Sequence, residues 1–172
     1  MFDHSIWLLP APDQEQRLVQ TIERLSLAQG GQVFAPHLTI QGDLDLPLEK
    51  LAAALEPLAA TVGTQRWRVA RVEHSEFFFR CVYLRFGSEP VFDALQASMR
   101  DLSESTVGLS PYPHLSLAYG PPHPDKARLC EELSRDFAGH ELLFDRIAIC
   151  RSSSRLAIAD WACLAQYALE PS

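Results

Sequence analysis

The segment Pro36-His37-Leu38-Thr39-Ile40 returns 77 positions later as Pro113-His114-Leu115-Ser116-Leu117. One His-x-Ser/Thr carries no information, since six histidines among 19 Ser and Thr lead to about 0.7 matches by composition. Requiring Pro before and Leu after the histidine lowers the expected number to about 0.007, yet two such segments occur. Trp7 and Tyr83 lie 76 positions apart, so the two halves stay in register to within one residue. A chain that repeats itself in this way is constrained to a duplicated unit. Repeat one is expected over about 1–75 and repeat two over about 76–172, with terminal strands open to exchange between the lobes. No long Gly/Ser-rich linker intervenes, so the two lobes are expected to pack into one domain.

Local patterns predict strand–helix–strand–helix twice. Ser5 to Leu9 reads as a strand closed by Pro10 and Pro12; Asp13 stands at an N-cap position ahead of Leu18, Ile22 and Leu25, and Gly30-Gly31 ends that helix. Val33 to Gln41 follows as a strand, then a helix from about Pro47 with Leu48, Leu51, Leu55 and Leu58 on one face, ended by Gly63, and a strand over Arg66 to Val72. In the second half, Phe78 to Phe86 and Pro113 to Tyr119 read as strands, Pro90 to Leu102 and Pro124 to Phe137 as helices. Strands near 142–150 and 160–168 finish the chain. Arg151-Ser152-Ser153-Ser154-Arg155 reads as an exposed hairpin loop.

At 172 residues the chain can bury enough surface to fold without staples. Its net charge of −7 argues against tight binding to polynucleotide backbones, whose affinity comes mostly from Lys and Arg, while a small or terminal phosphate remains allowed. No apolar run approaches the roughly 20 residues of a spanning helix, and Asp3 and His4 spoil a basic leader. The expectation is a soluble, unexported, cytoplasmic monomer with no membrane partner. Cys81, Cys130, Cys150 and Cys163 show no C-x-x-C or zinc spacing, and are expected as reduced, buried thiols.

On a strand, residues i and i+2 share a face, so His37 and Thr39 point one way while Leu38 and Ile40 enter the core. His114 and Ser116 stand likewise over Leu115 and Leu117. Two such faces related by a pseudo-two-fold axis present two imidazoles and two hydroxyls to one groove. One histidine can take a proton from water while the other gives one to a leaving sugar oxygen, with Thr39 and Ser116 bonding the non-bridging phosphate oxygens. Two histidines bonded to their own hydroxyls would be the purely structural alternative. A zinc site would lack ligands, so no metal and no cofactor are expected. His4, His74, His123 and His140 lack the motif.

The paired segments resemble the two-histidine (2H) phosphoesterase superfamily, whose hallmark is two H-x-[ST]-x motifs, and within it the plant-type cyclic phosphodiesterases. The likeness extends through Ser5 to Pro10, Phe77 to Leu84, Tyr112 to Tyr119, and Arg146 to Cys150 with Trp161 and Cys163. The resemblance implies an α+β domain of two pseudo-symmetric lobes whose antiparallel sheets flank a central cleft. It implies metal-independent hydrolysis of nucleoside 2′,3′-cyclic phosphates to 2′-phosphates and of ADP-ribose 1″,2″-cyclic phosphate to ADP-ribose 1″-phosphate. It gives His37 the acid role and His114 the water-activating role, a division the residues alone leave open. Trp7 and its repeat mate Tyr83 are candidates to hold base or sugar. Tyr119 joins them by resemblance, although alternation places it on the face opposite His114 unless the strand ends or bulges. Arg80 replaces the family's common Gln. The rival readings are an enzyme acting on RNA 3′ ends bearing 2′,3′-cyclic phosphates, a 2′-5′ RNA ligase relative, and a non-catalytic nucleotide-binding protein on the same fold.

Overall fold

The computed structural model describes residues 2–121 and 124–171; His123 lies outside them. The strands are β1 (His4–Pro10), β2 (Leu38–Leu44), β3 (Gln65–His74), β4 (Val82–Phe86), β5 (His114–Ala118), β6 (Glu141–Arg151) and β7 (Ala162–Ala168). The helices are α1 (Pro12–Gln29), α2 (Leu48–Ala59), α3 (Pro90–Ser103) and α4 (Lys126–Phe137). This is the α+β class that the repeat and the resemblance imply.

All the strand pairs are antiparallel and run in the order β1-β2-β5-β4-β3-β6-β7. Because β1 also pairs with β6, the first six strands close on themselves, and β7 hangs on β6. The strands of residues 1–75 and those of 76–172 therefore share one sheet, meeting at β2–β5, β3–β4, β3–β6 and β1–β6. The β2–β5 seam consists of a single pair, Leu38 with Leu115, both fully buried. In an antiparallel ladder that pair sets His37 across from Ser116 and Thr39 across from His114. The repeat shows again one strand further out, where Trp7 pairs with Thr39 and Tyr83 with Ser116.

The helices cover the apolar side. Leu18, Ile22 and Leu25 make the buried stripe of α1, which packs on β5, while α3 packs on β2 through Phe92, Leu95 and Met99. Each repeat's first helix thus supports the other repeat's motif strand. Ala11 occupies the α1 cap and Asp13 sits inside the first turn, where its charge still favours the helix dipole. Gly30 takes the left-handed conformation at φ 65 that ends α1, and the Gly31 N–H closes the turn on the Ser26 carbonyl at 3.0 Å. α2 ends at Ala60, ahead of Gly63.

Four expectations are corrected. Residues 33–37 are irregular and β2 begins at Leu38, because Pro36 brings no N–H to a ladder. Phe78–Arg80 forms a 3₁₀ turn before β4, closed by Ser75, whose hydroxyl donates to the Arg80 carbonyl and whose N–H donates to that of Cys81. Ser152 and Ser153 are buried, because the Ser152 N–H donates to the Asp3 carbonyl at 2.7 Å and Ser5 Oγ to the Ser152 carbonyl at 2.9 Å. Cys150 and Cys163 are joined by a disulfide, since strands β6 and β7 set them directly opposite, and Cys163 is exposed. Cys81 and Cys130 are buried, the Cys81 thiol donating to the Pro121 carbonyl at 3.3 Å. No helix among the described residues is long and apolar enough to cross a membrane.

Since Leu115 makes the single pair that joins the motif strands, Leu115→Ala is expected to cost about 2–5 kcal/mol of stability, read from denaturant unfolding midpoints. A change under about 0.5 kcal/mol, the scale of an ordinary surface substitution, would show that the seam closes without it.

Candidate functional site

The two histidines are held by the same local device. Leaving strand geometry just before each motif lets His37 Nδ1 donate to the Ala35 carbonyl at 2.6 Å, and His114 Nδ1 to the Tyr112 carbonyl at 2.9 Å. With Nδ1 protonated toward the backbone, each imidazole keeps a bare Nε2. Both rings line a cleft of about 340 Å³ together with Thr39 and Ser116. The structure thus brings together the four motif residues named from the sequence.

Their surroundings differ. Trp7 stacks on the His37 ring with centroids 3.6 Å apart and planes 12° apart, and Phe34 and Trp161 approach it edge-on. Tyr119 reaches it because β5 ends at Ala118, which frees the next residue from strand alternation. Its hydroxyl lies 3.4 Å from His37 Nε2, and its ring stacks on Phe34 at 3.6 Å. Burial lowers His37 to about 4 and raises the Tyr119 phenol, so the latter remains a neutral donor.

His114 is half-buried and also lowered to about 4, first by burial and then by the Arg80 and Arg85 guanidiniums. Tyr83, a candidate to hold base or sugar, stands behind His114. It packs edge-on behind His114 at 5.5 Å, donates to Glu73 at 2.8 Å and bonds the Tyr112 hydroxyl at 2.8 Å, and is absent from the cleft lining. Its repeat mate Trp7 does line the cleft. The two hydroxyls are likewise unequal. Thr39 Oγ1 makes no hydrogen bond among the described residues, whereas Ser116 Oγ donates to the Phe79 carbonyl at 2.9 Å.

Sequence reasoning left several lining residues without a direction or a role. The 3₁₀ turn after Ser75 brings Arg80 to the cleft lining, and its buried Nε has no hydrogen-bond partner among the described residues. Phe79 and Trp161 extend the aromatic wall, their rings 5.9 Å apart. Asp43 and the serines at 152–154 also line the cleft, Asp43 accepting the Ser154 N–H at 2.9 Å. Their only sequence signal was the run of three serines. Among the described residues no group of three or more His, Cys, Asp or Glu could hold a metal ion.

Comparison with known proteins places this geometry. The sequence model of the 2′-5′ RNA ligase superfamily matches residues 10–155. A protein named cyclic phosphodiesterase from Arabidopsis thaliana is 27% identical over 175 residues, covering 98% of this chain and 96% of that one. Among solved structures, TT0787 of Thermus thermophilus superposes with a TM-score of 0.60 at 17% identity, covering 99% of both chains. The structure of E. coli LigT complexed with phosphate gives a TM-score of 0.55 at 15% identity, covering 98% of both chains.

Both imidazoles are depressed below the unfolded value near 6.5, so their contribution to stability is complete above that pH and is lost as pH falls toward about 4. NMR titration of the unliganded protein is therefore expected to find His37 and His114 neutral at pH 6, with one of them moving upward when inorganic phosphate binds. Midpoints near 6.5 for both would contradict the buried site.

Proposed function

We propose that this chain, which belongs to the 2′-5′ RNA ligase superfamily, hydrolyses small cyclic phosphodiesters by paired histidine acid–base chemistry. The observation that carries the reading is the pair of imidazoles, each pinned through Nδ1 to a carbonyl two residues earlier and both lining one cleft. The substrates proposed are nucleoside 2′,3′-cyclic phosphates and ADP-ribose 1″,2″-cyclic phosphate, and the products are 2′-phosphates and ADP-ribose 1″-phosphate. The name of the Arabidopsis relative supports the reaction class.

The asymmetric surroundings support giving His114 the base role and His37 the acid role. Arg80 and Arg85 disfavour a charged His114, so its Nε2 stays available to take the proton of the attacking water. His37 lies against the face of Trp7, where an imidazolium gains cation–π stabilisation. Bringing a phosphate anion into the cleft raises its proton affinity, and Nε2–H then serves the departing oxygen. As the water oxygen bonds to phosphorus, the bond from phosphorus to the 3′ oxygen breaks, and that oxygen leaves with the proton from His37. Thr39 and Arg80 donate to the non-bridging oxygens. Ser116, its own proton committed to the Phe79 carbonyl, offers lone pairs to the water. Every group comes from one chain, so a monomer suffices, and no step calls for a metal.

His37→Ala and His114→Ala are each expected to lower turnover by about 10²-fold or more, assayed in EDTA with chromatographic separation of 2′- from 3′-phosphates. Near wild-type turnover in either variant removes that histidine from the mechanism. Activity that requires an oligonucleotide and falls steeply with salt would favour the RNA-end reading. Nucleotide binding without turnover would favour a binding protein.

A further inference from the structure

We propose that Tyr112 is the positioning residue of His114: gripped by Arg85, Tyr83 and Glu73 outside the cleft, it fixes the carbonyl that sets this imidazole's tautomer and orientation. This rests on the paired-histidine reading, and it gives residues that touch no substrate the task of aiming the water-activating base.

The repeat shows why His114 needs such a device. Tyr112 stands 77 positions after Ala35, so the carbonyls that receive the two Nδ1–H groups occupy matched places in the two halves. Ala35 is exposed and carries only a methyl group. His37 is held instead by rings, with Trp7 stacked on it at 3.6 Å and Phe34 and Trp161 edge-on. Among the described residues no ring stacks on His114. It meets Tyr83 and Tyr112 edge-on, at 5.5 and 5.6 Å, so its orientation depends on where those two tyrosines stand.

The register of three strands assembles the grip. Arg71, Arg85 and His114 form one row across β3, β4 and β5, and Glu73, Tyr83 and Ser116 form the next. Side chains paired in this way are close enough to interact. Tyr83 donates its single hydroxyl proton to Glu73 at 2.8 Å, so in the 2.8 Å contact between the two phenols Tyr112 is the donor. Glu73 is also paired with Arg71 and, at 3.6 Å, with Arg85. The Arg85 guanidinium lies 3.3 Å from the centroid of the Tyr112 ring, where cation–π attraction adds a second hold. Tyr112 is thus fixed at its hydroxyl, at its ring and at its carbonyl. None of Glu73, Tyr83, Arg85 and Tyr112 lines the cleft, so they reach the substrate only through His114.

The test reads the tautomer of each histidine from nitrogen chemical shifts of the unliganded protein at about pH 7, where both rings are neutral. It is paired with kcat and KM for a nucleoside 2′,3′-cyclic phosphate. In wild type both imidazoles are expected as single Nδ1–H tautomers. Tyr112→Ala keeps the carbonyl and removes the grip; it is expected to give mixed tautomers at His114 alone and to lower kcat by about tenfold, with KM within about twofold. Tyr112→Phe keeps the ring beneath Arg85 and loses the bond to Tyr83, and is expected to retain kcat to within about threefold. A Tyr112→Ala protein in which His114 keeps its single tautomer, or in which kcat stays within about twofold, overturns the proposal. Equal mixing at His37 and His114, the mark of general loosening, overturns it too. If Tyr112→Ala does not fold, Arg85→Met, which takes the cation off the Tyr112 ring, carries the same comparison with the same overturning results. A wild-type protein that turns over no cyclic phosphate refutes the reaction class, and the tautomer comparison then decides the positioning role by itself.

Discussion

A single cross-strand pair, Leu38 with Leu115, organises the site. It is the one registered pair between β2 and β5 among the described residues, and it brings the two motif strands side by side. Because strand side chains alternate, burying these two leucines on one face obliges their neighbours His37, Thr39, His114 and Ser116 to stand together on the other. The apolar cost of misplacing the register is what holds the polar constellation. Behind the seam, α1 supports β5 and α3 supports β2, so each half of the molecule braces the motif of the other.

The same local device on both sides yields two chemically different histidines. Each Nδ1 is tied to a carbonyl two residues earlier, which fixes the tautomer and aims Nε2. Beyond that, His37 is enclosed by Trp7, Phe34, Tyr119 and Trp161, while His114 faces Arg80 and Arg85 with the Tyr83–Glu73–Tyr112 cluster behind it. The two matched motifs supply two equivalent positions, and their surroundings depart from symmetry. Trp7 against Tyr83 is the sharpest instance, since equivalent positions on equivalent strands end as a cleft wall and as a buried support.

Most elements were legible because hydrophobic period, prolines and glycines act over a few residues. The helices with stripes such as Leu18-Ile22-Leu25 lie where their spacing places them, and Gly30 ends α1. The misreadings fall where a distant partner overrides local pattern. The Phe77–Phe79 run has strand composition, yet Ser75 folds it into a turn and so delivers Arg80. The three serines after Arg151 read as solvent-facing until the Asp3 carbonyl draws Ser152 inward. Cys150 and Cys163 carry no spacing signature, and only the pairing of β6 with β7 sets them side by side.

By itself the sequence determined the two motifs, their strand alternation and hence which side chains share a face, since these follow from covalent geometry and local burial. The tertiary structure alone decided which aromatic residues reach the cleft, how each imidazole is charged and where Arg80 and Asp43 stand. Those properties depend on burial and on charges brought close by residues far apart in the chain, and no local pattern encodes a distance through space.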